Sequence, residues 1–498
     1  MKRLSQLAAL LTVIVMTMTV SGCGSSAAAN SIPTIRIGRT EVFSGFHMDQ
    51  AVLNEDYAIS QSVIEPLIRT ANEGCSLEPG IAESWEYNDD DTKLTIHLNP
   101  DAAFSDGKPV TAKDVAFSVK VWKKGPNYGA SYQGIASTTV KDAHTIVFNL
   151  SSPDSSLPAF LSYSVAGVVP ENFGGKSEAE FWQNPIGAGP YRVESWSTDG
   201  DIVLRANKHF YKKGYPKTER IINTYVADPN SLSLRLRSNQ VDIVNQLDSV
   251  TGSSLDQRMI VNVPNHVTPL LSFNVKNSFL KQKKVRQALS WALDYDALVK
   301  IGNMGYGEVP HSSLPPNLDG STMASNGYYH RDVKKAKELL KGVNIPDHLT
   351  LIYPAGQVQA MVQIVQANLK DVGVNVELQA VDGGTWMASL ADGGFDLGFF
   401  NTNSQSPDLS DPARYVVSTN MMFSQMDPTE LSDMIERYKS TIDANERHEL
   451  VQQMDDYLTD EMPYVVMIDS MVLTAKQLDI KGVDVMPWST YYYDTISR

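Results

Sequence analysis

Residues 78–123 constrain the fold more than any other part of this chain, because strand, turn and helix signals follow one another there. Apolar and polar residues alternate over 94–98, the period-two pattern of a strand with one buried face. Turn-forming glycine, proline, asparagine and aspartate then cluster over 99–109. Thr111 and Asp114 have the spacing of a capping box, which indicates the start of a helix. The stretch therefore predicts a strand, two turns and a helix, in that order.

The amino terminus has the features of an export signal. A short basic segment at 1–3 precedes an apolar run at 7–20, which is too short to span a bilayer comfortably. The run ends in Val-Ser-Gly-Cys, which resembles the bacterial lipobox, whose cysteine receives a diacylglyceryl group. We therefore expect a signal peptide over 1–22, lipidation at Cys23 and a flexible tether over 23–32. The alternative is an ordinary signal peptide with an incidental cysteine.

Charge and cysteine content narrow the class of protein further. The formal net charge is −15 at pH 7, which argues against nucleic acid as a partner and against adhesion to anionic lipid. The chain has 2 cysteines, and the assignment of Cys23 to lipid leaves Cys75 alone. No disulfide framework is then available, so we expect an exported protein that its core alone must stabilise.

Three motifs carry a resemblance to a known family. Ala-Glu-Ser-Trp at 82–85 is followed by Phe-Ser-Asp-Gly-Lys-Pro-Val-Thr-Ala-Lys-Asp-Val at 104–115. A Gly-x-Gly-Pro-Tyr strand start stands at 187–191, and a strand followed by a helix occupies 271–294. Together these closely resemble the family 5 extracellular solute-binding proteins, the oligopeptide-, dipeptide- and nickel-binding receptors that feed ABC importers. The resemblance covers nearly all of residues 33–475.

The resemblance implies an α/β fold of the periplasmic-binding-protein type (type II, cluster C), with two lobes around a cleft and an extra domain. Domain I would comprise 33–59, 183–266 and 472–498. Domain II, the extra domain, would comprise 60–182, and domain III, the second ligand-binding lobe, 267–471. Because no linker rich in proline, glycine and serine separates these units, ordinary strands should join the lobes.

Local patterns predict further elements. Residues 34–38 form a first strand, and 57–69 form a helix that Pro66 interrupts or ends. Residues 349–378 have a strand-helix-strand pattern, which predicts two parallel strands joined by a right-handed crossover. The basic residues of 281–286 predict a solvated helix face rather than a phosphate site.

The polar loop at 401–412 is the most informative stretch for ligand binding, because it follows a buried strand predicted at 394–400. Open α/β folds hold ligands at the carboxyl ends of their strands. The resemblance implies that an Asp four residues ahead of a Pro in this loop pairs with the α-amino group of a peptide. Asp408 and Pro412 have that spacing, and a buried ammonium is costly unless a carboxylate pairs with it. The alternative is that Asp408 only forms a turn.

Other residues are predicted to contact the ligand by their position. The resemblance puts the loop after the first strand at the cleft, while strand ends and the polar loop supply the pocket walls. These predicted contacts are Phe43, Ser44, Tyr353, Trp386, Asn403 and Arg414, the last for a ligand carboxylate. Each of the three aromatic residues is equally compatible with simple packing. Family members often have a Trp near the end of the strand before the loop, where this chain has Phe400 and Asn401, so the pocket shape stays open.

The resemblance implies a substrate-binding lipoprotein that closes its lobes on a small peptide and presents it to the permease of an ABC importer. The alternative is a nickel or metal-chelate receptor, although the 9 histidines lack paired spacing and nickel receptors lack an acid at the position of Asp408. No hydrolase or nucleotide motif is present, so we expect neither an enzyme nor a cofactor. We expect a monomer, anchored to the outer face of the cell membrane or periplasmic in a Gram-negative cell.

Overall fold

The computed structural model describes residues 32–47, 54–71, 76–264, 268–315, 324–325, 327–356, 358–401 and 408–498. The strands are β1 Thr34–Arg39, β2 Arg69–Thr70, β3 Leu77–Glu78, β4 Ala82–Tyr87, β5 Lys93–Leu98, β6 Ile135–Val140, β7 Thr145–Leu150, β8 Tyr191–Ser195, β9 Ile202–Ala206, β10 Arg220–Tyr225, β11 Ile243–Val244, β12 Ile260–Pro264, β13 Pro269–Phe273, β14 Gly307–Glu308, β15 Leu349–Pro354, β16 Val376–Val381, β17 Leu397–Asn401, β18 Tyr464–Val466 and β19 Asp469–Lys476. The helices are α1 Asn54–Gln61, α2 Ala112–Trp122, α3 Leu157–Phe160, α4 Glu178–Gln183, α5 Pro229–Arg237, α6 Ser249–Ser253, α7 Lys283–Ala292, α8 Tyr295–Ala297, α9 Val333–Leu339, α10 Gln359–Asp371, α11 Gly383–Asp392, α12 Ser410–Ser418, α13 Thr429–Ser440 and α14 Ala444–Glu461.

Three sheets organise the chain, and we use domain I, II and III for the bodies built on them. Domain I has the order β12-β19-β11-β1-β10-β9-β8, with β14 also pairing with β19. Domain II has the antiparallel order β4-β5-β7-β6, and domain III has the order β16-β15-β17-β13-β18. The mixed α/β architecture is therefore confirmed.

The buried apolar side chains divide into two large cores. One core joins the sheet residues of domain I, such as Ile37, to those of domain II, such as Ile96. The other lies within domain III and includes Leu351 and Phe399. Because non-polar burial holds each core together, domains I and II form one lobe and domain III forms the other.

Residues 78–123, the stretch that most constrains the fold, adopt the predicted strand and helix. Strand β5 pairs with β4 and β7, and its apolar residues, such as Ile96, point into the core. Helix α2 begins after Thr111, where Asp114 accepts hydrogen bonds from the Thr111 amide at 2.8 Å and hydroxyl at 2.7 Å. The reciprocal bond that defines a capping box is also formed.

The glycines of 187–191 allow two segments of backbone to touch. A Cβ atom at Gly187 would lie 1.9 Å from the carbonyl oxygen of Val63, and one at Gly189 would lie 2.6 Å from that of Ser62. The Gly189 amide donates to the Val63 carbonyl oxygen at 3.0 Å. The motif therefore joins domain I to the segment after α1 through a contact that a side chain would exclude.

Helix α1 differs from its prediction. It ends at Gln61, five residues before Pro66, and so the prediction of a helix over 57–69 was wrong for its second half. The Ser60 carbonyl oxygen accepts the amides of both Val63 and Ile64, which closes the helix in a tight turn. The segment that follows is then available for the Gly187 and Gly189 contacts.

The strand-helix-strand prediction at 349–378 is confirmed. Strands β15 and β16 are parallel, with Leu349 opposite Val376, and α10 connects them. Strand β17 lies on the other side of β15, also parallel to it. The loop after β17 therefore leaves the sheet at the carboxyl end of parallel strands, where open α/β sheets hold ligands.

Two neighbouring crossings connect the lobes. The chain leaves domain I at β12 and enters domain III at β13, and it returns from β18 to β19. Strands β12 and β19 pair antiparallel in one sheet, and β13 and β18 pair antiparallel in the other. The return crossing falls between Val466 and Asp469, a few residues before the predicted boundary at 472. At each crossing the chain passes from a strand of one lobe to a strand of the other, and residues 467–468 of the return crossing lie between strands.

Candidate ligand-binding site

The start of α12 faces the first lobe. Asp411 lies in its first turn, is 5% exposed, and accepts a hydrogen bond from Arg414 at 3.3 Å. Tyr57, Tyr128 and Tyr163 lie opposite, and we call them the tyrosine cluster. Burial and then the negative charge of Asp411 raise the pKa of Tyr163. The end of the polar loop, which forms the first turn of α12, therefore meets the opposite lobe.

The tyrosine cluster comes from three segments that are distant from one another in sequence. Tyr57 lies on α1, and its hydroxyl is 3.0 Å from that of Tyr128, while the rings of Tyr128 and Tyr163 are 5.7 Å apart. Burial, with Asp411 second, raises the pKa of Tyr128 to about 12. All three hydroxyls therefore stay protonated, and Tyr57 and Tyr163 are buried in this conformation.

Asp408 is held within its own lobe. Its side chain is buried, and Oδ1 accepts the Ser410 amide at 2.8 Å. Its Oδ2 accepts Arg447 Nη2 at 2.6 Å and the Tyr438 hydroxyl at 3.2 Å, while the Arg447 guanidinium carbon lies 3.9 Å from the Tyr438 ring centroid. Arg447 already neutralises Asp408, so a ligand ammonium would have to replace or share one of these contacts. The role of Asp408 as amine partner stays a prediction.

Domain II touches domain III directly. The Ser155 amide and hydroxyl donate to the Lys439 carbonyl oxygen at 2.8 and 3.0 Å, at the end of α13. Arg447 also donates through Nη1 to the Ser155 hydroxyl oxygen. We call Ser155, Lys439 and Arg447 the clasp, because they join the two lobes in the described conformation.

Phe43 and Ser44, the two residues of domain I that are predicted to contact the ligand, differ in their solvent exposure. Phe43 is fully buried, with ring centroids 4.9 Å from Phe46 and 5.5 Å from Trp196. Ser44 is exposed, and its amide donates to Asp56 Oδ1 at 3.0 Å. The structure thus gives Phe43 a packing role here and leaves Ser44 accessible. Their contact with a ligand stays a prediction.

The two aromatic residues predicted as pocket walls pack against the core of domain III. Tyr353 is buried near the end of β15. Trp386 is half-buried, donates from Nε1 to the Phe399 carbonyl oxygen at 3.0 Å and stacks on Phe400 at 5.6 Å. Asn403, Cys23 and Cys75 lie outside the described residues. Of the predicted set, Asp408 and Arg414 both lie near Asp154 of domain II, and their contact with a ligand stays a prediction.

A buried acid sits near the amino-terminal loop. Glu55 is 3% exposed, and Asn245 Nδ2 donates to it at 3.5 Å. Burial, followed by the charge of Glu41, raises the pKa of Glu55 to about 8. This carboxyl therefore holds its proton in the folded protein at neutral pH.

Sequence reasoning missed the tyrosine cluster, Ser155 and Arg447. Each of these residues is distant in sequence from the polar loop. The helix cap at 443–446 precedes Arg447, but it predicts a helix start and no ligand contact. Within the described ranges, no group of three His, Cys, Asp or Glu side chains could hold a metal ion. No helix in the same ranges is long and apolar enough to cross a membrane.

Comparison with known proteins gives consistent matches. The family model for bacterial extracellular solute-binding proteins, family 5 Middle, matches residues 76–423. The probable D,D-dipeptide-binding periplasmic protein DdpA of Escherichia coli K12 is 25% identical, covering 87% of this chain and 88% of that protein. The dipeptide-binding protein of the same strain is 24% identical, with 84% and 86% covered.

Solved structures share the fold at lower identity. The ABC transporter substrate-binding protein CtaP from Listeria monocytogenes has a TM-score of 0.83 at 21% identity, covering 93% of this chain and 99% of CtaP. NikA from Staphylococcus aureus, in complex with Ni(L-His)2, has a TM-score of 0.76 at 19% identity, with 94% and 100% covered. The two-lobed architecture is therefore that of periplasmic binding proteins.

Proposed function

Because this chain belongs to the family 5 bacterial extracellular solute-binding proteins, we propose that it captures small peptides between its lobes for an ABC importer. It would hand them unchanged to the permease, acting as a receptor and not as an enzyme. Two relatives that span most of its length are named as dipeptide- or D,D-dipeptide-binding proteins, which supports peptide as the ligand class.

One observation carries this proposal: the segment at 408–414 faces the opposite lobe at the tyrosine cluster. A site between two lobes surrounds a small ligand, and closure excludes water from its polar contacts. Tyrosines offer apolar area together with hydrogen-bonding hydroxyls. This combination suits a ligand whose backbone must be held and whose side chains vary.

For the ligand amine, Asp408 is the proposed partner. It accepts a hydrogen bond from the Tyr438 hydroxyl at 3.2 Å, which a ligand ammonium would replace with a charge-assisted hydrogen bond. Asp411 is the natural comparison, because it is equally buried and lies one helical turn away. The two carboxylates can therefore be distinguished by mutation.

The test is calorimetric titration of the purified protein with di- to pentapeptides. Wild type should bind at least one of them, and Asp408→Ala should weaken that binding by about 3 kcal/mol or more, since a buried charge is left unpaired. Asp411→Ala is the matched control and should weaken it less. Peptide affinity within about 0.5 kcal/mol of wild type in Asp408→Ala would show that the amine binds elsewhere.

A metal chelate is the second proposed ligand class, because the fold matches that of NikA over most of both chains. The described residues provide no dedicated metal site, so the chelator would have to supply most of the ligands. Titration with nickel-histidine in the same calorimeter decides between the classes. Peptide binding without nickel-histidine binding supports the first.

We also propose that the chain is exported and that Cys23 carries the lipid. The relative DdpA, which is named as a periplasmic protein, supports export. Mass spectrometry of the membrane fraction should find a diacylglyceryl group on Cys23, and Cys23→Ala should release the protein from the membrane. A single peak of monomer mass in sedimentation would support the expected monomer.

A further inference from the structure

The connection between β9 and β10 concentrates positive charge on an otherwise acidic protein. Residues 207–218, which we call the basic loop, contain four lysines and a histidine but no aspartate or glutamate. The chain as a whole has a formal net charge of −15. Lys208, Lys213 and Lys217 are exposed, and Lys212 is half-buried. The basic loop therefore has a charge opposite in sign to that of the whole chain.

The lysines of the basic loop have no acidic partner within ion-pair distance among the described residues. Arg205 and Arg220, on the adjoining strands, instead pair with Glu194 at 3.0 Å each. Two of the lysines lie over the ring of Tyr215, with Nζ atoms 4.6 and 4.1 Å from its centroid. Because no carboxylate neutralises these lysines, their charge is available to an anionic partner.

Hydrogen bonds hold the basic loop in place on domain I. The Lys217 amide donates to the Asp494 carbonyl oxygen at 2.9 Å. At the other end of the loop, Asn207 Nδ2 donates to the Gly189 carbonyl oxygen at 2.8 Å. The positive charge is therefore presented at a fixed place on the lobe, so a surface that binds the loop also orients the protein.

The tether predicted over 23–32 leaves domain I beside the basic loop. The Arg220 amide donates to the Pro33 carbonyl oxygen at 3.1 Å, and only Glu219 separates Arg220 from the loop. Pro33 lies ten residues after Cys23, and a chain of that length reaches at most about 35 Å. A lipid on Cys23 would therefore hold this end of domain I close to the membrane surface.

The candidate ligand-binding site lies towards the opposite end of β1. Strand β1 is parallel to β10, so the loop that enters β10 lies at the amino end of β1. From the carboxyl end of β1 the chain continues to Ser44, whose amide donates at 3.0 Å to Asp56 of α1, the residue before Tyr57 of the tyrosine cluster. The six residues of β1 span about 20 Å. A surface that contacts the basic loop therefore leaves the site between the lobes facing away from it.

We propose that the basic loop binds the anionic phospholipid headgroups of the membrane that holds the tether, with the candidate ligand-binding site turned away from the lipid. The inference goes beyond the proposed function and takes from it only the lipid on Cys23. The net charge of the whole chain opposes adhesion to anionic lipid, so the contact depends on the local lysines. Salt screens charges beyond about 10 Å, which lets nearby lysines outweigh acids elsewhere on the protein.

This orientation suits the capture of solute. The site between the lobes then faces the medium, whereas delivery to a permease in the same membrane requires the body to leave the lipid. A contact through a few lysines is reversible, because each contributes modestly and salt weakens it. An acyl anchor together with a basic surface is also the combination that holds proteins on anionic membranes.

Sedimentation with excess vesicles tests the contact. The chain from residue 24 is used, because it keeps every described residue and lacks the export signal and Cys23. It should bind phosphatidylglycerol vesicles more tightly than phosphatidylcholine vesicles, and rising salt should weaken that binding. The combined variant Lys208→Gln, Lys213→Gln and Lys217→Gln should bind phosphatidylglycerol about tenfold or more weakly.

A matched triple variant controls for the change in net charge. Lys334→Gln, Lys337→Gln and Lys341→Gln remove three exposed lysines on α9 and just after it, in domain III, and should change binding by less than about twofold. Equal losses in the two triple variants would overturn the inference. Equal binding of the unsubstituted chain to both kinds of vesicle, or binding to neither, would overturn it as well.

Hydrogen exchange of the unsubstituted chain on phosphatidylglycerol vesicles locates the contact. Slower exchange over 207–218 supports the inference, and slower exchange confined to other segments overturns it. Peptide titration of the same chain tests the proposed function separately, since the titration contains no lipid. A chain that binds the vesicles through the basic loop but binds no peptide would refute the proposed function and leave this inference standing.

Discussion

Arg447 joins Asp408 of its own lobe to Ser155 of the opposite lobe. Its Nη2 lies 2.6 Å from Asp408 Oδ2, and its Nη1 donates to the Ser155 hydroxyl oxygen. Asp408, which is predicted to bind the ligand amine, and Ser155, which contacts domain III from the opposite lobe, thus bond to the same guanidinium. Any ligand that changes the Asp408–Arg447 pair should also change the strength of the clasp.

Arg447→Met should destabilise domain III by about 3–5 kcal/mol, because Asp408 would stay buried without its partner. The free energy of unfolding in urea measures this. Arg258→Met is the control: its pair with Asp256 is exposed, at 75% and 40%, and should contribute less than about 1 kcal/mol. Equal effects of the two substitutions would mean that the Asp408–Arg447 pair is not effectively desolvated.

Ser155→Pro should speed the release of bound peptide, since it removes both the amide and the hydroxyl that donate to Lys439. Two hydrogen bonds of ordinary strength predict a dissociation rate about five- to a hundredfold higher. Ser155→Ala keeps the amide bond and should give a smaller increase. Stopped-flow measurement with a fluorescent peptide separates the three rates, and unchanged dissociation in Ser155→Pro would exclude a closing role for the clasp.

Gly187→Ala should destabilise the protein by about 1–3 kcal/mol or prevent folding, because the new methyl group would collide with the Val63 carbonyl oxygen. Gly383→Ala is the comparison, since no atom lies within 4 Å of a Cβ placed there. That substitution lies at the start of α11 and should be neutral or stabilise by up to about 1 kcal/mol. The urea concentration at the midpoint of unfolding, measured for both variants, tests this difference in stability.

Glu55→Gln should flatten the pH dependence of stability. Because the folded pKa is about 8 and the ordinary value is 4.5, the folded state holds one more proton between these pH values. Stability from this group is therefore present below pH 4.5 and is lost as pH rises through about 8. Between pH 5 and pH 8, wild type should lose at least about 1 kcal/mol relative to Glu55→Gln.

Urea unfolding at pH 5, 6, 7 and 8 measures that difference. Glu430→Gln, at an exposed position on α13, is the control and should parallel wild type throughout. A constant offset between wild type and Glu55→Gln across the range would contradict the shifted pKa of Glu55.

Elements whose signals are local could be predicted from the sequence. The Thr111 cap and the parallel strands of 349–378 are confirmed because each depends on residues that are close in the chain. The prediction of a solvated basic face at 281–286 was wrong for one residue. Arg286 is 2% exposed and donates to four backbone carbonyl oxygens, including those of Leu280 and Met462. Two of the four acceptors, Glu461 and Met462, lie 175 and 176 residues away in the chain, which helical periodicity does not reveal.

Only the part of the candidate site that the polar loop contributes could be predicted from the sequence. The polar loop and Asp408 follow from a strand end and a spacing. Arg447, Tyr163 and Ser155 lie 39, 245 and 253 residues from Asp408 in the chain. Whether a carboxylate is accessible depends on such partners. The residues next to Asp408 in the chain do not show that Arg447 contacts it. That contact decides whether the Asp408 carboxylate is already paired or is available to a ligand amine.

The strands on either side of the two crossings are paired, Pro264 with Met471 in domain I and Leu270 with Val466 in domain III, so the crossings lie next to each other, and we call them the strap. A strap of this kind bends across its plane more easily than it stretches or shears. We therefore expect the two lobes to rotate as rigid bodies about a hinge at the strap. Solute would enter from the side farthest from the strap, where a small angle at the hinge gives the widest mouth.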